Sequence, residues 1–328
     1  MYKRIYNALK ENGMARTAVI VEGPGTGSRC MAEQGGLFSE DSADWSGMEA
    51  QILSQEETGL LLVGNRKVFV ELFRQNPQLI ILGGGHVSCP VAHLGSMLGF
   101  HVTVMDDRPE FLTRERFPEA DQLILGSFEE LSEKIPLYEN AYYVVVTRGH
   151  TGDSICARQI LRRPYVYFGM IGSKTKVRLS REKLMGEGFT EKELDTIHAP
   201  IGLPIGGQLP EEIAISIMAE IVQEKNRRYL SFADEKVEEA VLSGKKGVML
   251  TIVKKSGSSP RGMGSKMFLG EDGSSYGSIG GGSVEYEAMQ HASVVTGTEL
   301  VSYNLSVSDQ RNLGMICGGN VDVLFEKI

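Results

Sequence analysis

The stretch ILGGGHVSCPVAHLGSMLGFHVTVMDD constrains the fold of this chain more than any other. An apolar run over residues 79–82 ends in Gly83-Gly84-Gly85, and a helical pattern over 87–98 carries Val91, Leu94 and Leu98 on one face. A second apolar run follows at 101–105. Strand, glycine turn, helix and strand open a doubly wound nucleotide-binding sheet. Gly83 and Gly85 take the first two places of G-x-G-x-x-G, while Ser88 stands where a third glycine would bring helix and strand close together. Backbone N–H groups at such a helix start bind phosphate, aided by the helix dipole. Asp106 lies about 20 residues further on, at the end of the second strand, and suits a carboxylate that accepts ribose hydroxyls.

The pattern continues through strands at 122–125, 142–146 and 165–168, with helices at 128–134, 154–162 and 210–226. Strands separated by helices predict a parallel sheet with right-handed crossovers. Ligands bind such sheets at the carboxyl ends of the strands. Candidate residues on that rim are His86 on the turn, Arg148 and His150 after the fourth strand, and Ser173 after the fifth. His86 reads equally as a proton carrier or ligand and as a polar helix-entry residue facing water. Arg148 can hold an anion bidentately. Asp153 reads as a cap for the helix expected from 154, and Ser173 as a cap or a phosphate contact. Glu220 shares a helix face with Ile213 and Ile217 and is expected to be half-buried and paired.

From about residue 242 the chain becomes β-like and glycine-punctuated, which predicts a small α+β unit. Two dense small-residue loops, SGSSPRGMGSKM and SIGGGSVE, bring Ser259, Arg261, Gly280, Gly281, Gly282 and Glu285; MICGGN adds Cys317. Successive N–H groups in such loops form anion-binding concavities. The first 76 residues echo this unit: GTGSRCM resembles GMGSKM, GNRKVFVE resembles GNVDVLFE, and AVIVE resembles LTIVK. The expected organisation is an N-terminal β-rich unit (1–76), a Rossmann-like domain (77–228), a charged linker (229–241) and a C-terminal β-rich domain (242–328). The fold class is therefore α/β, a Rossmann-like parallel sheet flanked by small β-rich α+β units.

Composition excludes several functions. A net charge of −8 offers no basic surface for nucleic acid. No apolar run reaches the ~18 residues of a membrane helix, and MYKRIYNALKENG is too polar for a signal peptide. A cytoplasmic protein is expected. The four cysteines are widely spaced, which argues against an iron–sulfur cluster or a disulfide framework. Glycine, 39 of 328 residues, exceeds its usual ~7% and points to loops that approach ligands.

GGGHV, TRGHTGD, GMIGSK, HAPIGLPIG and PEEIAISIMAE, followed by GSSPRGMGSKM, GSIGGGSVE and LGMICGGNVDVLFE, resemble in order the XdhC/CoxI family of maturation factors for xanthine and carbon monoxide dehydrogenases. The resemblance implies a binding and hand-over protein rather than a catalyst. Its cargo would be molybdenum cofactor (molybdopterin, including a dinucleotide form), its client a molybdenum hydroxylase, and a further partner a cysteine desulfurase. A homodimer with no membrane or nucleic-acid partner is expected. Cys317 is the residue that could approach the metal of the bound cofactor.

Three departures from the family pattern stand out. The complete β-rich domain follows the Rossmann-like one, Ser283 follows Gly282 where cysteine is common, and Ile316 precedes a single Cys317. Fewer thiols leave binding intact but weaken direct sulfur handling. Read from the residues alone, an NAD(P)- or flavin-dependent oxidoreductase and a nucleotide or redox sensor stay open.

Overall fold

In a computed structural model the chain divides into two compact units, Asn76–Arg227 and the combination of Met1–Gln75 with Arg228–Ile328. The structure describes residues 1–148, 150–227, 231–232, 234–257, 261–304 and 319–328. The chain begins with α1 (Tyr2–Asn12), β1 (Met14–Glu22), β2 (Arg29–Glu33), β3 (Gly36–Ser39), α2 (Glu49–Leu53), β4 (Gly59–Val63) and β5 (Arg66–Arg74). The central unit follows with β6 (Gln78–Leu82), α3 (Ser88–Met97), β7 (His101–Asp106), β8 (Gln122–Leu125), α4 (Leu131–Lys134), β9 (Ala141–Val145), α5 (His150–Ile160), β10 (Tyr167–Met170), α6 (Lys174–Gly186), α7 (Glu191–Leu194) and α8 (Pro210–Lys225). The chain then returns to the first unit through β11 (Ser231–Phe232), α9 (Glu235–Leu242), β12 (Gly247–Gly257), β13 (Lys266–Gly270), β14 (Ser275–Gly277), α10 (Gly282–Ala292), β15 (Thr298–Asn304) and β16 (Gly319–Lys327).

The central unit is a parallel sheet in the order β10-β9-β6-β7-β8, a Rossmann-like arrangement. Alternate residues of β6 enter different cores: Leu79 and Ile81 pack with α3 and α8, Ile80 and Leu82 with α4 and α5. Both faces are covered, so the strand is continuously apolar. Ser88 is buried and its Oγ donates to Gly83 O at 2.5 Å. The close helix–strand approach that a third motif glycine would give is supplied by Gly95, whose Cβ position lies 2.3 Å from Leu79 Cδ2. Two boundaries differ from the sequence pattern. The last strand starts at Tyr167 rather than 165, within an apolar string that carries no marker of its start. Helix α5 begins at His150, so Asp153 sits in its first turn instead of capping it, and its Oδ1 accepts from Thr147 Oγ1 at 2.6 Å. Among the described residues no helix is long and apolar enough to cross a membrane.

The other unit is a duplication. The series α1-β1-β2-β3-α2-β4-β5 recurs as α9-β12-β13-β14-α10-β15-β16, and the strand orders β3-β2-β1-β5-β4 and β14-β13-β12-β16-β15 correspond. Register agrees as well: Val19 faces Arg29 and Thr17 faces Glu71, as Thr251 faces Lys266 and Met249 faces Glu326. The repeat visible in the sequence is thus a repeat of fold. Within this unit each copy buries apolar surface against the other. Val19, Val21 and Phe69 share a core with Val253 and Leu324, and Ile5, Tyr6 and Leu9 of α1 share another with Val237, Ala240 and Val241 of α9. The stretch 229–241, expected as a linker, instead supplies α9 and the short β11, which pairs in parallel with β5 at Phe73–Arg74. Its charges are the exposed face of an amphipathic helix capped by Asp234, not the signature of a solvated tether.

Two buried ion pairs cross between the copies. Lys266 Nζ donates to Glu71 Oε1 and Oε2 at 2.7 and 2.8 Å, and to Thr251 Oγ1 at 3.2 Å. Arg29 Nη2 meets Glu326 Oε2 and Oε1 at 2.7 and 2.9 Å, while the Tyr2 hydroxyl donates to the same Oε2 at 2.5 Å. Arg29 and Lys266 are equivalent positions of the repeat, as are Glu71 and Glu326. Each copy therefore gives one cation and one carboxylate to its counterpart.

Candidate functional site

The glycine turn lies where the sheet order reverses, between the ends of β6 and β9. Gly83 has φ +113°, and its N–H donates to Met105 O at 2.8 Å. A Cβ on Gly83 would lie 2.5 Å from Val146 O and 3.0 Å from Thr147 Cα. This closeness sets Thr147 and Arg148 beside the turn. Gly85 differs: among the described residues nothing lies within 4 Å of its Cβ position. Among the described residues the N–H groups of Gly85, His86 and Val87 meet no protein acceptor. They precede α3, at the positive end of its dipole. His86 and Arg148 are exposed on the same rim.

Asp106 is not the open ribose acceptor expected from its position. Its Oδ1 accepts from Arg108 N and Nε, both at 2.9 Å, and its Oδ2 from Gly84 N at 2.6 Å and Arg108 Nη2 at 2.9 Å. Burial alone would raise its pKa, but Arg108 and the two N–H groups outweigh burial and hold it below the ordinary carboxylate range. Arg116 was not among the expected residues either. Its Nη2 donates to Gly84 O at 3.0 Å, and its buried Nε has no partner among the described residues. Both guanidinium groups flank Phe111, at 4.0 and 5.2 Å from the ring centroid. The available signal was three arginines, Arg108, Arg114 and Arg116, within ten positions of a strand ending in an acid.

Ser173, on the rim after β10, caps α6 by accepting from Lys176 N at 3.3 Å, which accounts for it without a ligand. The HAPIGLPIG segment packs back on the sheet through Glu220. That carboxylate accepts from the Tyr167 hydroxyl at 2.6 Å and Gly202 N at 2.9 Å, with His198 Nδ1 at 3.2 Å. Burial would raise the Glu220 pKa, but these donors lower it overall. A carboxylate held low in the fold stabilises it above its unfolded pKa of about 4.3, and that contribution is lost as pH falls through the folded value. Glu220→Gln is therefore expected to cost about 1–3 kcal/mol at neutral pH. It should also weaken the acid dependence of unfolding below about pH 4. Fluorescence-monitored urea titrations at several pH values test this, and an acid limb as steep as that of the parent protein would remove Glu220 from the account.

In the duplicated unit Gly280, Gly281 and Gly282 have φ of +126°, +71° and +66°, which makes a concave turn before α10. That concavity is already filled. Glu285 Oε2 accepts from Ser278 Oγ at 2.7 Å, Ile279 N at 3.2 Å and Gly281 N at 2.8 Å. Glu285 acts as the internal anion of this turn, and an incoming anion would have to displace it. Arg261 is exposed at the start of the preceding loop. Ser259, Cys317 and the side chain of His150 lie outside the described residues. Of the other cysteines, Cys30 and Cys156 are buried, and burial pushes the Cys30 thiol up to about 12.

The chain thus combines a Rossmann-like unit, whose glycine turn leaves three N–H groups without a protein acceptor among the described residues, with a duplicated β unit. Residues 79–221 match the XdhC Rossmann domain, and residues 240–304 match the XdhC and CoxI family. The chain belongs to the XdhC/CoxI family. Relatives include an uncharacterized Escherichia coli protein, YqeB, 32% identical over 50% of this chain and 30% of its own length. Another is a probable xanthine dehydrogenase subunit of Bacillus subtilis, 33% identical over 49% of this chain and 46% of its own. The chain thus spans less than half the length of the curated relatives it matches. A crystal structure of a xanthine dehydrogenase from Bacillus halodurans shares the fold, with TM-score 0.56 and 24% identity over 68% of this chain and 65% of that one.

Proposed function

We propose that this protein is an accessory factor of a xanthine dehydrogenase-type molybdenum hydroxylase, one that binds molybdenum cofactor and passes it to the apo-enzyme. Membership of the XdhC/CoxI family and the name of the Bacillus subtilis relative support the association with xanthine dehydrogenase. The observation that carries the binding role is the trio of N–H groups at Gly85, His86 and Val87, which meets no protein acceptor at the head of α3. Molybdenum cofactor bears a phosphate, and such a turn accepts one without side-chain charge. Arg148 and His86 on the rim add positive or proton-donating groups. A cysteine desulfurase that renews the sulfido ligand, and a homodimeric state, belong to the same proposal.

Protein purified without oxygen is expected to release a fluorescent pterin on denaturation and to activate apo-hydroxylase when mixed with it. Gly85→Ala, which meets no steric obstacle within the fold, should reduce pterin retention by about tenfold or more through the lost approach of phosphate to backbone. Full retention in that variant moves the cofactor away from the turn. Absence of pterin together with absence of transfer rejects the function.

A further inference from the structure

The glycine turn carries a second specificity signal. In a Rossmann-type crevice the acid ending the second strand reads the unphosphorylated ribose, and an arginine beside it accommodates a 2′-phosphate instead. Here Asp106 occupies that place but has no free acceptor capacity in the plane of its carboxylate, since Arg108 grips it through Nε and Nη2 and Gly84 N–H takes the remaining side. Arg108 Nη1 makes no protein hydrogen bond among the described residues, and Arg116 Nε has none either. The two guanidinium groups flank the Phe111 ring, and Arg116 is anchored on Gly84 O of the turn itself. A ribose diol would find its acid already paired, whereas a phosphomonoester would meet Arg116 and the free Nη1 face of Arg108, whose Nε side is shared with Asp106 and, at 3.7 Å, Asp107.

We infer that the crevice of the central unit selects a 2′-phosphorylated adenine dinucleotide, the chemistry of NADP, over its unphosphorylated counterpart, with Arg108 and Arg116 as the specificity-determining residues. The assignment rests on the turn being an anion site, as under the proposed function, but not on cofactor hand-over. Arg108 serves two ends: it neutralises Asp106 and presents its third nitrogen to the phosphate. Arg116 adds charge next to the pyrophosphate position at the start of α3.

Calorimetric titration of the full chain with NADP+ and with NAD+ tests this. NADP+ is expected to bind about tenfold tighter or more, as a charge-assisted contact gives, with a steeper fall in affinity as salt rises. Arg108→Ala should reverse the order, weakening NADP+ and strengthening NAD+ because Asp106 is released to the ribose. Arg116→Ala leaves Asp106 paired, and it should weaken NADP+ and keep NAD+ weak. Equal affinities, a preference for NAD+, or no binding of either at millimolar concentration overturns the inference. If that happens while pterin still co-purifies, the carrier function stands alone. NADP+ selectivity in a protein that never holds pterin would overturn the carrier function and leave the nucleotide site.

Discussion

Glu71→Ala is expected to destabilise the duplicated unit by about 3–5 kcal/mol, the cost of leaving a buried charge without its partner. Glu71 is fully buried and Lys266 nearly so, with Thr251 Oγ1 as the ammonium's other acceptor. Burial lowers the Lys266 pKa, Glu71 opposes that shift, and the net direction is down. Without Glu71, Lys266 must lose its proton or draw water into the core. For a unit of this size the loss corresponds to a drop on the order of 10 °C in Tm. Glu326→Ala should behave alike, because Arg29 would then be stranded with Tyr2 and Thr17. The double replacement Glu71→Met with Lys266→Met should recover most of the loss, since a buried pair contributes little net stability over apolar groups of similar volume. A double-mutant cycle measured by thermal unfolding decides the matter. A single-variant cost below about 1 kcal/mol would place the pair in water despite its burial.

These pairs also mark where the sequence stops being readable. GTGSRCM and GMGSKM align Arg29 with Lys266, and the two glycine–asparagine strings align Glu71 with Glu326. The repeat was therefore legible, because turn glycines and strand patterns recur at matching positions. The crossing was not: an alignment of copies says which residues are equivalent, never which copy supplies a residue's partner. For the same reason the two β-rich segments read as separate flanking units, when their apolar faces are each other's cover. The stretch after residue 228 read as a tether because its charges are dense, and only the burial of Val237 and Val241 shows it to be helix α9.

The site divides along a similar line. Glycine positions were legible because backbone conformation limits residue choice locally. Side-chain partners were not, since they depend on what the loops bring in. Asp106 was placed at the right strand end, yet its carboxylate belongs to Arg108. Glu285 was expected at the mouth of the Gly280–Gly282 turn and instead fills it. A carboxylate beside unsatisfied N–H groups will bind them itself when its side chain reaches, because otherwise those groups need water or a ligand. The glycine turn of the central unit has its first N–H, that of Gly84, closed in this way by Asp106, while the next three meet no protein acceptor among the described residues.

Gly83→Ala should cost far more than Gly85→Ala, although the two glycines are separated by a single residue. At Gly83 the backbone sits at φ +113°, a region that charges a residue with a Cβ about 1–3 kcal/mol. The new methyl would also press on Val146 O at 2.5 Å, and forcing β6 and β9 apart adds about another 1–3 kcal/mol. The strands cannot yield freely, since Gly83 N–H is tied to Met105 O and Val146 N–H to Leu82 O. Gly85 has open space around its Cβ position among the described residues, so alanine there should change stability by less than about 1 kcal/mol. Any loss it causes must then appear in ligand retention alone. The measurement is a pair of urea titrations with a probe in the central unit, read beside pterin and nucleotide binding for both variants. Gly83→Ala should lose stability and binding together, and Gly85→Ala should lose binding only. Equal destabilisation by the two would mean that Gly85 is held by the fold, and the turn would lose its claim to be shaped for a ligand.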